Sequence, residues 1–184
     1  MLELRLHGRG GQGTVVASKI LADAVVMAGK YVQAFPEYGV ERRGAPVVAF
    51  VRIDDKSINL RSKIYNPDHL LVLDPTLIES INVTEGLKEQ GIILINSEKD
   101  PSSFNFDGNF KVMTVDATKI AISHRLGSKA SPIVNTAILG GVIRALSIAS
   151  LDNLVEAIKN GVPVKVEENI AAAKEAYESL KGGN

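Results

Sequence analysis

Two short stretches of this chain carry residue types that could do chemistry. The first is Gly8-Arg9-Gly10-Gly11-Gln12-Gly13. The second is Glu37-Tyr38-Gly39-Val40-Glu41-Arg42-Arg43-Gly44-Ala45-Pro46. The glycine run lies between a short alternating apolar segment (Leu2, Leu4, Leu6) and a long apolar-periodic one beginning at Val15. That context predicts a strand, a tight turn and a helix start. Glycines there let the backbone turn sharply and approach a ligand closely. A helix start behind them offers free N–H groups and a partial positive charge, so an anion is the natural guest. In the second stretch, adjacent Arg42 and Arg43 could hold phosphate or carboxylate groups in forked hydrogen bonds. A solvated loop with local ion pairs would use the same residues.

The spacing Gly8, Gly10, Gly13 also fits Gly-x-Gly-x-x-Gly, and Glu37 follows Gly13 by 24 residues, as a dinucleotide site requires. Against NAD or FAD stand the bulk of Arg9 and Gln12 in the turn and Pro36 between the strand end and Glu37. His7 could shuttle a proton beside the turn or be a satisfied structural histidine. His69 and His124 have no partner set that spells a metal site. Asn135 could contact a ligand or a partner, or only cap a local turn. Lys63 and Tyr65-Asn66-Pro67 are candidates for the same mouth.

The elements that would position these residues alternate between strand and helix. Residues 2–7 read as a first strand and 14–28 as a helix with Val16, Ile20, Ala24 and Ala28 on its apolar face, closed by Gly29. Tyr31 to Phe35 and residues 47–53 read as the next strands. A turn at Asp54-Asp55-Lys56 then predicts a hairpin with an alternating strand over 57–61. His69–Leu73, Gly91–Asn96 and Phe110–Val115 are continuously apolar, as strands buried on both faces are. Residues 97–109 read as a mobile surface loop. Asp116 and Ser150 read as helix caps. Ser131-Pro132 predicts the start of a helix through about Ser147, with Gly140-Gly141 inside it. Val166, Ile170, Ala173, Tyr177 and Leu180 form the stripe of a last helix. We therefore expect one domain over residues 1–184. Its fold class would be three-layer α/β/α, with a Rossmann-like, mostly parallel sheet and an antiparallel hairpin.

Composition narrows the function classes. The 184 residues include 21 basic and 21 acidic side chains, so there is no basic excess of the kind a nucleic-acid binder shows. No apolar run approaches the ~18 residues of a spanning helix, and no secretory signal is apparent. There is no cysteine, which excludes disulfides and thiolate cluster or zinc sites on this chain. A reducing, cytoplasmic setting is compatible with that, and we expect no nucleic-acid and no membrane partner.

His7 to Gly13, followed by Gln33-Ala34-Phe35-Pro36 and the stretch Glu37 to Pro46, resembles the gamma domain of the 2-oxoacid:acceptor oxidoreductase family. Within that family it looks like the gamma subunit of pyruvate:ferredoxin oxidoreductases. The resemblance continues through Val72-Leu73-Asp74, Asn135 to Gly140 and Glu168-Asn169, so it spans nearly the whole chain. The Phe-Pro-Glu-Tyr-Gly loop is more similar to pyruvate and 2-ketoisovalerate types than to 2-oxoglutarate types.

The resemblance implies an enzyme that oxidatively decarboxylates a 2-oxoacid, forms an acyl-CoA with coenzyme A and reduces ferredoxin. Thiamine diphosphate, Mg and iron–sulfur clusters would then sit in alpha, beta and delta partner subunits, and this chain would bind none of them alone. No catalytic residue and no metal ligand is expected here. The implied cofactor or CoA surface is Gly8, Arg9, Gly10, Gly11, Gln12, Gly13, Arg42, Arg43 and Asn135. Glu37, Tyr38, Gly39, Glu41 and Gly44 are implied as an interface or site loop. Arg42 and Arg43 could meet CoA phosphates or an acidic partner surface. Separated from its partners, such a chain should self-associate through exposed apolar patches. A stand-alone dinucleotide-binding protein is the alternative.

Overall fold

The computed structural model describes residues 1–37 and 42–182. The expected loop positions Tyr38, Gly39 and Glu41 therefore lie outside the described residues. Six strands build one mixed sheet. They are β1 (Leu2–Arg9), β2 (Tyr31–Pro36), β3 (Pro46–Asp54), β4 (His69–Val72), β5 (Ile92–Asn96) and β6 (Lys111–Val115), in the order β2-β3-β1-β4-β5-β6. β1, β4, β5 and β6 run parallel to one another, whereas β3 is antiparallel to both β1 and β2. The helices are α1 (Thr14–Met27), α2 (Leu77–Ser80), α3 (Ala117–Ser123), α4 (Ala137–Leu146), α5 (Leu151–Gly161) and α6 (Val166–Glu178). Two-residue strands β7 (Gly127–Ser128) and β8 (Ser131–Pro132) pair with each other.

Alternation along the strands divides the core. Leu4, Leu6, Ala49, Val51, Leu71, Leu94 and Met113 face the buried sides of α1 and α3 through α6. Leu70, Val72, Ile93 and Ile95 point to the opposite face, where Ile78 of α2 and Phe104, Phe106 and Phe110 cover them. Residues 97–109 are thus not a loose surface loop. A 3-10 turn at Pro101–Ser103 and these phenylalanines make them a lid on the second core. On the β1–β3–β2 half, the same face mixes polar side chains with the rings of Phe35 and Phe50, 5.3 Å apart. Buried Arg52 donates from Nε to Glu3 Oε1 at 2.8 Å and stacks over the Phe35 ring at 5.4 Å.

Three local expectations are corrected. Residues 57–61 form no strand, because both edges of β3 are already taken by β1 and β2. The antiparallel hairpin is β2–β3, pairing Tyr31 with Asp54 and Pro36 with Ala49. The 57–61 segment is instead tied down through Gln33, whose Nε2 donates to Leu60 O at 2.9 Å. Ser131-Pro132 does not open a helix. Proline pushes the residue before it toward extended backbone, and both residues lie in β8; α4 begins at Ala137. The buried stripe of α1 is Ala17, Ile20, Leu21, Ala24 and Val25, while Val16 is 44% exposed and Ala28 is the exposed C-cap.

Other expectations agree with the structure. Asp116 Oδ1 accepts from Lys119 N at 2.8 Å, and Ser150 and Asn153 form a reciprocal capping box. An added Cβ at Gly140 would lie 1.8 Å from Ala173 O, so α4 and α6 touch backbone to backbone there.

Candidate functional site

The two motifs are zipped together by main-chain hydrogen bonds at the carboxyl end of β1. Gly10 N donates to Ala45 O at 2.9 Å, Gly44 N donates to Gly10 O at 3.0 Å, and Gly10 bridges Arg43 in parallel. The contact leaves no room for a side chain, since a Cβ on Gly10 would sit 2.3 Å from Arg42 O. Gly11 and Gly13 have φ of +94° and +77°, the left-handed region that glycine tolerates. Gly13 is also the N-cap of α1 and brings no side-chain cap, so the first helical N–H groups stay available. A Cβ on Gly8 would strike the Thr14 hydroxyl, which is buried and has no partner among the described residues.

The side chains of the glycine run turn inward onto β4. Arg9 Nε donates to Asp74 Oδ2 at 3.1 Å, Nη2 to Thr76 Oγ1 at 2.8 Å and Nη1 to Gly44 O at 3.1 Å. Gln12 Nε2 donates to the same Asp74 Oδ2 at 2.8 Å, while its Oε1 accepts from Arg9 N at 2.7 Å. Thr76 completes the set by donating N and Oγ1 to Asp74 Oδ1. Burial alone would raise the Asp74 carboxyl. The hydrogen bonds from Thr76 and Gln12 and the Arg9 charge outweigh it and hold the group below the ordinary carboxylate value. Asp74 and Thr76 were not read as site residues from the sequence; an acid ending a buried strand beside Pro75 was the available signal.

Asn135 does reach the glycine run. A Cβ on Gly13 would lie 2.4 Å from its Nδ2, and Asn135 Oδ1 accepts from Thr136 N at 2.9 Å. It opens onto a cavity of about 410 Å³ that also involves Thr136, Asn169, Val16, Ile133 and Val164. Thr136 Oγ1 donates to Asn169 Oδ1, and Asn169 Nδ2 donates to Lys165 O at 2.8 Å, so α4 and α6 meet at this wall. Arg42 and Arg43 are exposed, with no ion-pair partner among the described residues.

Glu37 is not aimed at the glycine run. Its Oε1 pairs with Lys63 Nζ at 2.8 Å. Lys63, Tyr65 and Asn66 line a different cavity with Arg5 and His7, on the sheet face away from α1. His7 is the satisfied kind on one side: Nε2 accepts from Arg5 Nε at 3.0 Å. Burial, and then the Arg5 charge, lower its pKa to about 3, which makes it a poor proton shuttle at neutral pH. His69 Nδ1 accepts from Ile92 N, and His124 pairs with Glu175 at the surface. Among the described residues no three His, Asp or Glu side chains cluster as metal ligands.

Residues 3–179 match the family model for pyruvate ferredoxin/flavodoxin oxidoreductase. The chain is 50% identical to the pyruvate/ketoisovalerate oxidoreductases common subunit gamma of Pyrococcus furiosus, over 98% of each chain. It is also 50% identical to the pyruvate synthase subunit PorC of Methanocaldococcus jannaschii, over 98% of this chain and 97% of that one. The crystal structure of the pyruvate oxidoreductase subunit PORC of Thermotoga maritima superposes with a TM-score of 0.84 at 40% identity, covering 100% of this chain and 98% of the other. The chain belongs to the pyruvate ferredoxin/flavodoxin oxidoreductase family, on its gamma-subunit branch, as the joined glycine and arginine motifs led us to expect.

Proposed function

We propose that this chain is the gamma subunit of a multi-subunit 2-oxoacid:ferredoxin oxidoreductase that converts pyruvate and CoA to acetyl-CoA and CO2. On this reading Gly8 to Gly13, Arg42, Arg43 and Asn135 form one wall of the CoA approach to a thiamine site on its partners. The alternative is a gamma subunit serving 2-ketoisovalerate or 2-oxoglutarate instead. The observation that carries the reading is the zipper between Gly10 and residues 43–45. It sets two exposed arginines beside the start of α1, whose N-cap Gly13 supplies no side-chain acceptor. Helix-start N–H groups and guanidinium forks are both donors to phosphate, and CoA is rich in phosphate oxygens.

The residues present do not fit the redox cofactors of the assembly. The chain has no cysteine to hold a cluster and, among the described residues, no carboxylate or histidine cluster for a metal. On this reading the electron-carrying steps are assigned to alpha, beta and delta partners, with ferredoxin as acceptor, in the cytoplasm. No described helix is long and apolar enough to cross a membrane.

Arg42→Ala plus Arg43→Ala in the reconstituted complex tests the reading. Losing one or two charge-assisted contacts should raise the KM for CoA by roughly 10- to 100-fold, with the KM for the 2-oxoacid unchanged. An unaltered KM for CoA removes these arginines from the CoA approach. A stand-alone dinucleotide site is less well supported, because Glu37 is engaged by Lys63 and the side chains of Arg9 and Gln12 fill the turn. Titration of the chain with NAD(H) separates the two readings. We further expect the isolated chain to self-associate through Val16, Ile133 and Val164, which are exposed; sedimentation as a monomer at high concentration contradicts this.

A further inference from the structure

The two edges of the sheet differ. At one edge β6 is closed by the segment after α6: Thr114 N donates to Lys181 O at 3.0 Å, and Lys181 N donates to Thr114 O at 2.9 Å. At the other edge β2 has no such cover among the described residues. Glu37 N donates to Val48 O at 2.8 Å, which fixes the alternation along β2. Phe35, Gln33 and Tyr31 are then the positions that bond β3, while Val32 and Ala34 turn their N–H and C=O groups outward. Those four groups have no partner among the described residues. No charged side chain interrupts Tyr31–Pro36, and a free, uncharged edge is a template for another strand.

The helix above this edge is open on the same side. α1 packs mainly on β2 and β3, and α5 takes one of its flanks, where a Cβ on Gly161 would lie 3.1 Å from Ile20 Cγ1. The helical period puts Val15, Ala22 and Val26 together on the opposite flank, over β2. Val26 is 55% exposed, and Val15 and Ala22 are half-buried. Lys19 and Asp23, four residues apart, rim this flank. Both are exposed, with no ion-pair partner among the described residues.

We propose that β2 pairs antiparallel with β2 of a second copy of this chain, about a two-fold axis at Gln33, and so joins the two sheets into one. This register matches the outward groups of Val32 to those of Ala34 in the other copy, twice over, for four main-chain bonds. It also sets Tyr31 against Phe35 of the other copy, an aromatic cross-strand pair. The helix layer fits the same seam. Strands pair about 4.8 Å apart, and α1 sits over β2 and β3, so the two α1 helices come to about 10 Å from each other, the distance at which helices pack. The axis makes them antiparallel, with small Ala22 letting them close up and Lys19 of each copy beside Asp23 of the other. That charge match selects a second copy. A foreign strand would satisfy the edge but leave the flank and its charges unmet. The seam lies on the side of α1 away from α5 and stands independently of the CoA reading.

The chain has no cysteine, so one introduced thiol in the full chain reports the register. With oxidised glutathione as oxidant, Gln33→Cys should form a disulfide-linked dimer, because the two positions face each other as a non-hydrogen-bonded pair with Cα atoms about 4.5 Å apart. Tyr31→Cys should stay unlinked, although Tyr31 is 53% exposed, since its two copies would lie more than about 13 Å apart. Hydrogen exchange gives a second reading without a thiol. At about 0.5 mM unaltered chain, the Val32 and Ala34 amides should exchange at least about 5-fold more slowly than in Val26→Lys, which charges an exposed position of the seam. Where Gln33→Cys does not fold, this exchange comparison decides the matter. A folded Gln33→Cys that stays unlinked, Tyr31→Cys linking as readily, or equal exchange in the unaltered chain and Val26→Lys overturns the proposal.

Discussion

Arg9 Nε and Asp74 Oδ2 meet at 3.1 Å, and this contact ties the end of β1 to the end of β4. The same carboxylate holds Gln12, and the same guanidinium holds Gly44 O. Asp74 therefore sets the position of the arginine loop without touching it. Asp74→Asn keeps the shape but places an NH2 where one of these donors needs an oxygen. We expect about 1–3 kcal/mol lower stability at pH 7, because a part-buried charged donor loses its acceptor. Hydrogen exchange at the Gly44 and Ala45 amides should accelerate as well. Unchanged melting and exchange would show that the loop is set by the backbone zipper alone.

Gly11 and Gly13 separate backbone strain from collision. Both have positive φ, but a Cβ on Gly11 meets only Arg43 Cγ at 3.9 Å, whereas one on Gly13 meets Asn135 Nδ2 at 2.4 Å. Gly11→Ala should cost about 1–2 kcal/mol from the left-handed backbone alone. Gly13→Ala should cost more. In a double-mutant cycle, Asn135→Ala should recover the excess and leave the strain, giving a coupling of about 0.5–3 kcal/mol. Additive effects in denaturant titrations would mean that Asn135 does not press on the glycine run.

Periodicity made most of the fold legible, and it failed where partners far along the chain decided. β4, β5 and β6 were readable because strands apolar on both faces leave continuous runs. Residues 57–61 alternate like a strand, yet pairing depends on a free edge, and no local pattern records that β3 has none. Val16 fits the apolar period of α1 as well as Ala17 does. Only packing against the sheet selects Ala17. For the site, glycine spacing exposed the turn and the doubled arginine exposed the loop. The role of Asp74 was hidden, since a clamp needs three segments brought together. Arg5 was hidden too, because in the sequence it looks like the polar position of an edge strand, whereas His7 was a candidate whose burial only the fold reveals.

Gly140→Ala should invert the usual helix preference. In a free helix the change would stabilise by roughly 1 kcal/mol. Here the new methyl would lie 1.8 Å from Ala173 O and 2.9 Å from Tyr177 N, and neither backbone atom can step aside alone. Overpacking of this kind should cost at least about 3 kcal/mol, seen as a lower denaturation midpoint. A neutral or stabilised variant would mean that α4 and α6 separate easily. The cavity walled by Thr136 and Asn169 would then be adjustable rather than fixed.

His7 should make the chain acid-sensitive well above the carboxylate range. Its folded pKa is lowered from 6.5 to about 3, by burial first and the Arg5 charge second. Between those values the unfolded chain takes up a proton that the folded chain refuses. Stability from this group is therefore full above pH 6.5 and falls as the pH drops toward 3. The slope is about 1.4 kcal/mol per pH unit for one proton. His69, also lowered by burial, adds to the loss in the same direction. Asp74, held below its ordinary value, adds only at the acid end, as pH falls below about 4. Urea midpoints at pH 7, 6 and 5 measure the slope. His7→Phe removes the titrating group and should flatten it, leaving only the part due to His69. It should also lower stability at pH 7, where Arg5 Nε loses its acceptor. An equal slope in the unaltered chain and in His7→Phe would show that water reaches His7 and lets it take up its proton in the folded state.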